Sequence, residues 1–324
     1  VGGTLNVGGG ARIYRSDGCG ATVKVDDFGH VSLITGSTEI GQGSETVLAQ
    51  MVAEVMGVPV DDVRVINTDT DVKTWDVGVH ASRTTFIAGN AACLAAKDAL
   101  RQIFETAGEI LCVLPDSLAA KDGKIFAPDG KSVSLSKVVR SRHFRTGGEM
   151  VFGKAFYDPK SELVDKQTYH GNISPAYGFG MQMADVEVDT ETGQVRVLKL
   201  VCAKDVGRAI NPMAVEGQIE GGVQMGLGYA LSEELVVEEG RVMNPNFVDY
   251  RLFTAADMPE IENILIESVD PEGPFGAKGI GEMGSSCVAA AVVNAIYDAV
   301  GVRLTHPPMT PERVLAALDA KRGE

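Results

Sequence analysis

The chain has 324 residues, 44% of them hydrophobic, which is enough to bury one large core or two lobes that share a ligand. Lysine and arginine number 29 against 44 acidic residues, and the net charge of -15 opposes binding to phosphate backbones and to anionic lipid surfaces, so no nucleic acid and no membrane partner is expected. Five cysteines (Cys19, Cys93, Cys112, Cys202, Cys287) stand apart without a CxxC pair and indicate no disulfide framework, zinc site or iron–sulfur cluster; a reducing cytoplasm fits them, and no apolar run reaches the ~20 residues of a membrane span.

The opening VGGTLNVGGGARIY carries no Met and no element that would begin a core. Residues 1–20 read as the start of a domain broken from a preceding half. Residues Ala21 to Gly36 read as a hairpin, with ATVKV and VSLIT alternating around the turn residues DDFGH. The glycine loop STEIGQGS follows, and then Val47, Met51, Val52 and Val55 recur at helical spacing up to a Gly57 stop. VDDVRVINTDT reads as a strand, TWDVGVHASRTT as a polar loop, and FIAGNAACLAAKDALRQIFETAGEIL as a long alanine-rich helix. KDGKIFAPDGKSVSLSKVV reads as a small hairpin and short helix, and the segment after it, HFRTGGEMVFGKAFYDPKSELVDKQTYHG, as loop and lobe boundary.

From Gly178 two long strands flank the turn TETGQ. AVEGQIEGGVQMGLGYALSEELV is helical in period but holds five glycines, which implies backbone packed closely against another element. IENILIESV reads as a strand, DPEGPFGAKGIGEMGSS as a loop, and CVAAAVVNAIYDAV and PPMTPERVLAALDA as helices. Strands and helices alternate irregularly, which favours α+β over a doubly wound sheet, with two lobes of mixed sheet and helix at 21–175 and 176–324.

Three constellations carry chemistry. Gly41-Gln42-Gly43-Ser44 precedes a helix, where glycine lets backbone approach a ligand and free N–H groups favour a phosphate; an ordinary structural turn explains it as well, and the absence of Lys argues against a P-loop. Ala81-Ser82-Arg83-Thr84 offers hydroxyls, a guanidinium and a helix start as an anion cradle, or else simple N-capping by Ser82 or Thr84. Glu282 lies among glycines in FGAKGIGEMGSS, where it is either held close to a bulky ligand or is a plain surface carboxylate. Trp75 and His80 flank the second loop. Asp205 and Asn211 in KDVGRAINP line either a ligand or a buried turn.

In this order, GSTEIGQGSET, WDVGVHASRTTFIAGNA, GQIEGGVQMGLGYALSEE and GAKGIGEMGSS resemble the second half of the molybdopterin subunit of the molybdenum hydroxylases. That family includes xanthine dehydrogenase, aldehyde oxidoreductase, nicotinate dehydrogenase and 4-hydroxybenzoyl-CoA reductase, and the resemblance runs from about Ala21 to Leu318. It implies the second molybdopterin-binding domain of that family. Gly41, Gln42, Gly43 and Ser44, with Ala81, Ser82, Arg83, Thr84 and Gly281, would contact the cofactor, and molybdenum would be held through the pterin dithiolene with no protein ligand. Glu282 would be the catalytic base, buried beside the cofactor, taking a proton as water-derived oxygen attacks an electron-poor carbon. Gln224 stands one place earlier than the glutamine of some xanthine-oxidising relatives and is left unassigned.

The resemblance also implies a molybdopterin cytosine dinucleotide cofactor, a larger molybdopterin subunit or preceding half, an iron–sulfur subunit with its clusters, and an FAD subunit. The expected reaction is hydroxylation of a heteroaromatic ring or aldehyde. Reductive dehydroxylation of an aromatic thioester and a non-catalytic scaffold subunit are the alternatives.

Overall fold

The computed structural model describes residues 1–323, which divide into two compact units. Residues 7–176 with 269–279 make the N-terminal unit; residues 1–6, 177–268 and those from Ile280 onward make the C-terminal unit. The architecture is mixed sheet and helix, as α+β composition requires.

The chain opens with a strand, β1 (Gly2–Val7), where the sequence suggested no element. Its alternation is short and glycine-rich, so it gains its order from sheet pairing rather than from propensity. The N-terminal unit is then built on β2 (Cys19–Val25), β3 (Val31–Thr35), α1 (Ser44–Met56), β4 (Val63–Ile66) and α2 (Gly89–Leu111). It continues with β5 (Ala119–Lys121), β6 (Lys124–Phe126), β7 (Ser132–Ser134), α3 (Leu135–Arg145) and β8 (Val151–Tyr157).

The main sheet has the order β4-β3-β2-β8, with β2 antiparallel to both β3 and β8 and β3 parallel to β4; β5, β6 and β7 form a small sheet of their own. The expected hairpin is β2–β3. The segment expected to be loop contains β8: the diglycine at Gly147-Gly148 hides the V-F-G-K-A-F-Y alternation that follows it. Helix α2 lies on this sheet through Ala91, Ala92, Ala95, Ala96 and Ala99, all fully buried. Methyl side chains let helix and strand backbones approach so closely that a Cβ at Gly153 of β8 would lie 2.1 Å from the Ala95 carbonyl oxygen.

The C-terminal unit holds β9 (Tyr177–Val188), β10 (Val195–Asp205), α4 (Pro212–Leu231), β11 (Val237–Glu238), β12 (Arg241–Val242), β13 (Glu260–Ile266), α5 (Val288–Val300) and α6 (Pro311–Arg322). Its sheet runs β1-β9-β10-β13, antiparallel between β9 and β10 and parallel between β10 and β13; β11 and β12 form a separate two-stranded ribbon. Inward residues Leu200 and Cys202 pack with Ile219, Val223 and Leu227 of α4 and Val288, Val292 and Ile296 of α5 into the core. The opposite face carries an open apolar patch, Phe179, Met181 and Met183 of β9 with Ile264 and Ile266 of β13, all exposed, beside the ion pairs of Lys199 with Glu260 and Glu262. Among the described residues no helix is long and apolar enough to cross a membrane, and all five cysteines are free.

The glycines of α4 divide by face. A Cβ at Gly222 would meet the Gly284 Cα at 2.7 Å, and one at Gly226 would meet Val288, whereas Gly217 and Gly221 face open space. Gly221→Ala is therefore expected to stabilise the chain by about 1 kcal/mol through helix propensity. Gly222→Ala should destabilise it by about 1–3 kcal/mol through overpacking against backbone, with denaturant unfolding of the two variants giving opposite signs.

Candidate functional site

The Gly41–Ser44 loop enters α1 through two glycines in the left-handed region, Gly41 at φ +102° and Gly43 at φ +78°. The helix start is filled from within the chain. Glu39 Oε1 accepts the Gly41 and Gly43 N–H groups at 2.8 and 2.9 Å, and Oε2 accepts the Ser44 hydroxyl at 3.0 Å and the Glu45 N–H at 3.1 Å. Burial pushes this carboxyl up, but the four donors outweigh it and hold it below its ordinary value. Gln42 also folds back on its own loop, its Nε2 donating to the Thr38 carbonyl and Ser44 hydroxyl and its Oε1 accepting the Ile40 N–H. The phosphate expected at this helix start is thus replaced by a side-chain carboxylate. No capping pattern in the sequence marks Glu39, which stands four residues before the Gly43 N-cap rather than at a capping position.

Arg83 is fully buried and points into the protein rather than toward a ligand. Its Nε meets Asp17 at 3.2 Å; one terminal nitrogen meets Asp76 at 2.6 Å and the Gly78 carbonyl at 2.9 Å; the other donates to the Asp17 and Gly18 carbonyls, both at 2.9 Å. All five N–H donors are used, so the guanidinium expected in an anion cradle is a structural cation instead. Burial pushes the Asp17 carboxyl above its ordinary value against the opposing pull of Arg83, and Asp17 Oδ2 is buried with no hydrogen-bond partner. A Cβ at Gly10 would sit 2.7 Å from that oxygen, so glycine is required there.

Ala81 and Ser82 both take φ 51°, a strained pair for residues with side chains, held because Arg83 is anchored beyond them. Thr84 pairs its hydroxyl with that of Ser37 at 3.4 Å and begins a π-helical turn, Thr84–Ala88, that runs into α2. The Gly276–Gly279 stretch belongs to this same unit and reaches the strained turn: a Cβ at Gly279 would lie 1.6 Å from the Ser82 carbonyl oxygen. Two motifs separated by almost two hundred residues therefore meet through backbone.

Gly281 and Glu282 belong to the C-terminal unit and are exposed, so the expected burial of Glu282 is not present in this chain. The residues around it are fixed: the Glu282 carbonyl accepts the Ser285 hydroxyl at 3.2 Å and the Ser286 hydroxyl at 2.7 Å, and Met283 is fully buried, 2.2 Å from a Cβ built at Gly178. Asn211 caps α4 by accepting the Ala214 N–H, Asp205 accepts the Gly207 N–H, and Gln224 donates to the Phe253 carbonyl. These satisfy the turn reading. Trp75 is half exposed and packs on Phe156 with centroids 5.9 Å apart.

For a pterin cofactor, what fits is the open glycine backbone and the exposed carboxylate: nothing lies within 4 Å of a Cβ built at Gly41. The filled α1 start and the saturated Arg83 do not fit a phosphate.

The molybdopterin cofactor-binding domain family matches residues 3–259. A xanthine dehydrogenase molybdenum-binding subunit of Escherichia coli O157:H7 is 35% identical over 303 residues, covering 91% of this chain and 38% of its own. Subunit gamma of the 6-hydroxypseudooxynicotine dehydrogenase complex of Paenarthrobacter nicotinovorans is 35% identical over 300 residues, covering 91% and 37%. The crystal structure of quinoline 2-oxidoreductase from Pseudomonas putida 86 superposes with a TM-score of 0.87 at 30% identity, covering 98% of this chain and 41% of that one. The chain belongs to the molybdopterin cofactor-binding domain family of the molybdenum hydroxylases. It spans about two fifths of the length of these relatives.

Two outcomes test the site's internal electrostatics. Arg83→Met leaves Asp17 and Asp76 buried without their cation and should destabilise the chain by about 3–5 kcal/mol in denaturant unfolding. Glu39→Gln should weaken the α1 start by about 1 kcal/mol near neutrality. Because the folded Glu39 carboxyl lies below its ordinary 4.5, its contribution is complete above that pH and fades as pH falls through the lower folded value, so wild type and variant should converge in acid.

Proposed function

We propose that this chain is the part of a molybdenum hydroxylase that presents the catalytic base, Glu282, to the cofactor and substrate, in the hydroxylation of a heteroaromatic ring or aldehyde with water as oxygen source. The single observation that carries the reading is an exposed carboxylate in a glycine-rich loop whose following residues, Met283 to Ser286, are packed and hydrogen-bonded. In this reading the backbone of Gly41–Ser44 and of Ala81–Thr84, and separately Gly281 and Glu282, would contact the molybdenum cofactor. When bound, the molybdenum cofactor, proposed in its cytosine dinucleotide form, supplies a two-electron acceptor.

The protein's own task is to hold a proton acceptor near the reacting oxygen. An exposed side chain in this chain gains the water-excluded setting a base requires from its ligand and partner, not from its own domain. The partner proposed is the remainder of a molybdenum-binding subunit, together with iron–sulfur and FAD subunits that carry electrons away. The relatives' greater length and the apolar open face around Phe179, Met181 and Met183 support it, since monomeric proteins seldom leave such a face to water.

A second reading, a non-catalytic scaffold subunit, draws on Glu39 and Arg83, because both anion seats are filled from within. Glu282→Gln in the native assembly separates the two. The catalytic reading expects turnover to fall by roughly 10²–10⁴-fold while molybdenum content and melting temperature stay constant. Unchanged turnover would leave the scaffold.

A further inference from the structure

Behind the Glu282 loop, two strands and a helix start enclose polar side chains that sheet packing alone does not call for. Gln182 of β9, Lys204 of β10 and Cys287, which precedes α5, are all buried, with Cys202 of β10 beside them. The other inward positions on β9 near Gln182 are Gly178, Gly180 and Ala184, small residues over which the unit closes. A buried amide there is costly unless both ends find partners.

Both ends find them on one segment. Gln182 Nε2 donates to the Gly284 carbonyl at 2.8 Å and also lies 3.5 Å from the Cys202 Sγ. Gln182 Oε1 accepts the Cys287 thiol at 3.1 Å, and the Cys287 Sγ accepts from Lys204 Nζ at 3.6 Å. Burial holds the Lys204 amine below its ordinary range, the neighbouring thiols opposing. One side chain from the sheet therefore grips residues 284 and 287, while Gly222 of α4 presses on Gly284 from another direction with no room for a Cβ. The stretch so held begins two residues after Glu282, whose own carbonyl is tied to Ser285 and Ser286 within it.

We propose that Gln182 is a positioning residue for Glu282, fixing the 284–287 segment from behind through paired hydrogen bonds to the Gly284 carbonyl and the Cys287 thiol, with Lys204 supporting Cys287. The proposal rests on the reading of Glu282 as the base. A leucine at 182 would fill similar volume and preserve the core, but would release the segment, so the amide sets where the carboxylate stands rather than whether the sheet forms.

The test is Gln182→Leu in the native assembly, with Gln224→Leu as a matched control that removes a side-chain bond to the Phe253 carbonyl away from the loop. Amide hydrogen exchange is read on peptides spanning 282–287 and on peptides from β10 and α6, alongside the pH profile of turnover. Gln182→Leu should speed exchange in 282–287 roughly tenfold for each bond lost and leave the other peptides unchanged. It should also lower kcat with little change in KM and move the acid limb of the profile. Gln224→Leu should lower stability and do neither.

Exchange that is unchanged at 282–287, or raised evenly across β9, β10 and α5, would overturn the proposal, as would a loosened loop with an unmoved pH profile. Turnover that survives Glu282→Gln would overturn the base reading itself, and with it the role given to Gln182. Loss of turnover in Glu282→Gln with unmoved loop exchange in Gln182→Leu would overturn the positioning role alone.

Discussion

Arg83 carries a guanidinium into a place without solvent, and much of the N-terminal unit is arranged around what that requires. Two carboxylates and three carbonyls converge on it, from the segment at Asp17–Gly18, from Asp76 and from Gly78. The cation accounts for features that look unrelated in the sequence. Gly10 must lack a side chain beside the Asp17 carboxylate, and Gly279 must lack one beside the Ser82 carbonyl. Ala81 and Ser82 are held in a conformation that side chains disfavour, because the next residue is anchored from below. A buried ion cluster of this kind adds little net stability over an apolar core, but removing one partner leaves a buried charge unpaired at a cost of about 3–5 kcal/mol. Here it anchors Arg83, the residue immediately before the Thr84–Ala88 turn that leads into α2.

The C-terminal unit reaches a similar end through close packing and buried hydrogen bonds. Gly222 of α4 lies against Gly284, Gly178 makes room for Met283, and Gln182 joins the sheet to the segment before α5. Absent side chains and one satisfied amide together locate a loop of few residues. The result is an exposed carboxylate on a closely packed, hydrogen-bonded segment, a combination that suits a group whose environment is completed by what binds over it.

Much of this was legible in the sequence, for identifiable reasons. The hairpin β2–β3, the helices α1, α2, α5 and α6, and the pair β9–β10 follow from periodicity and turn residues, and the five glycines of α4 announced close backbone contact. β1 and β8 were not legible, since each is a short strand placed by pairing and masked by neighbouring glycines. Residue type marked the loops but not the direction of their side chains. An arginine beside a helix start has the composition of an anion cradle, and only the fold shows its donors turned toward Asp17 and Asp76. Glu39 and Gln182 are not legible in the sequence, because their roles rest on folded-state partners that lie from two to over one hundred residues away.

Whether this chain works around a molybdenum cofactor is read most directly by elemental mass spectrometry of the natively purified assembly with chromatography of nucleotides released by mild hydrolysis. On the proposed reading molybdenum is expected with a near-stoichiometric yield of CMP, together with iron from any copurifying subunits. An intact assembly holding neither molybdenum nor a pterin nucleotide would contradict it.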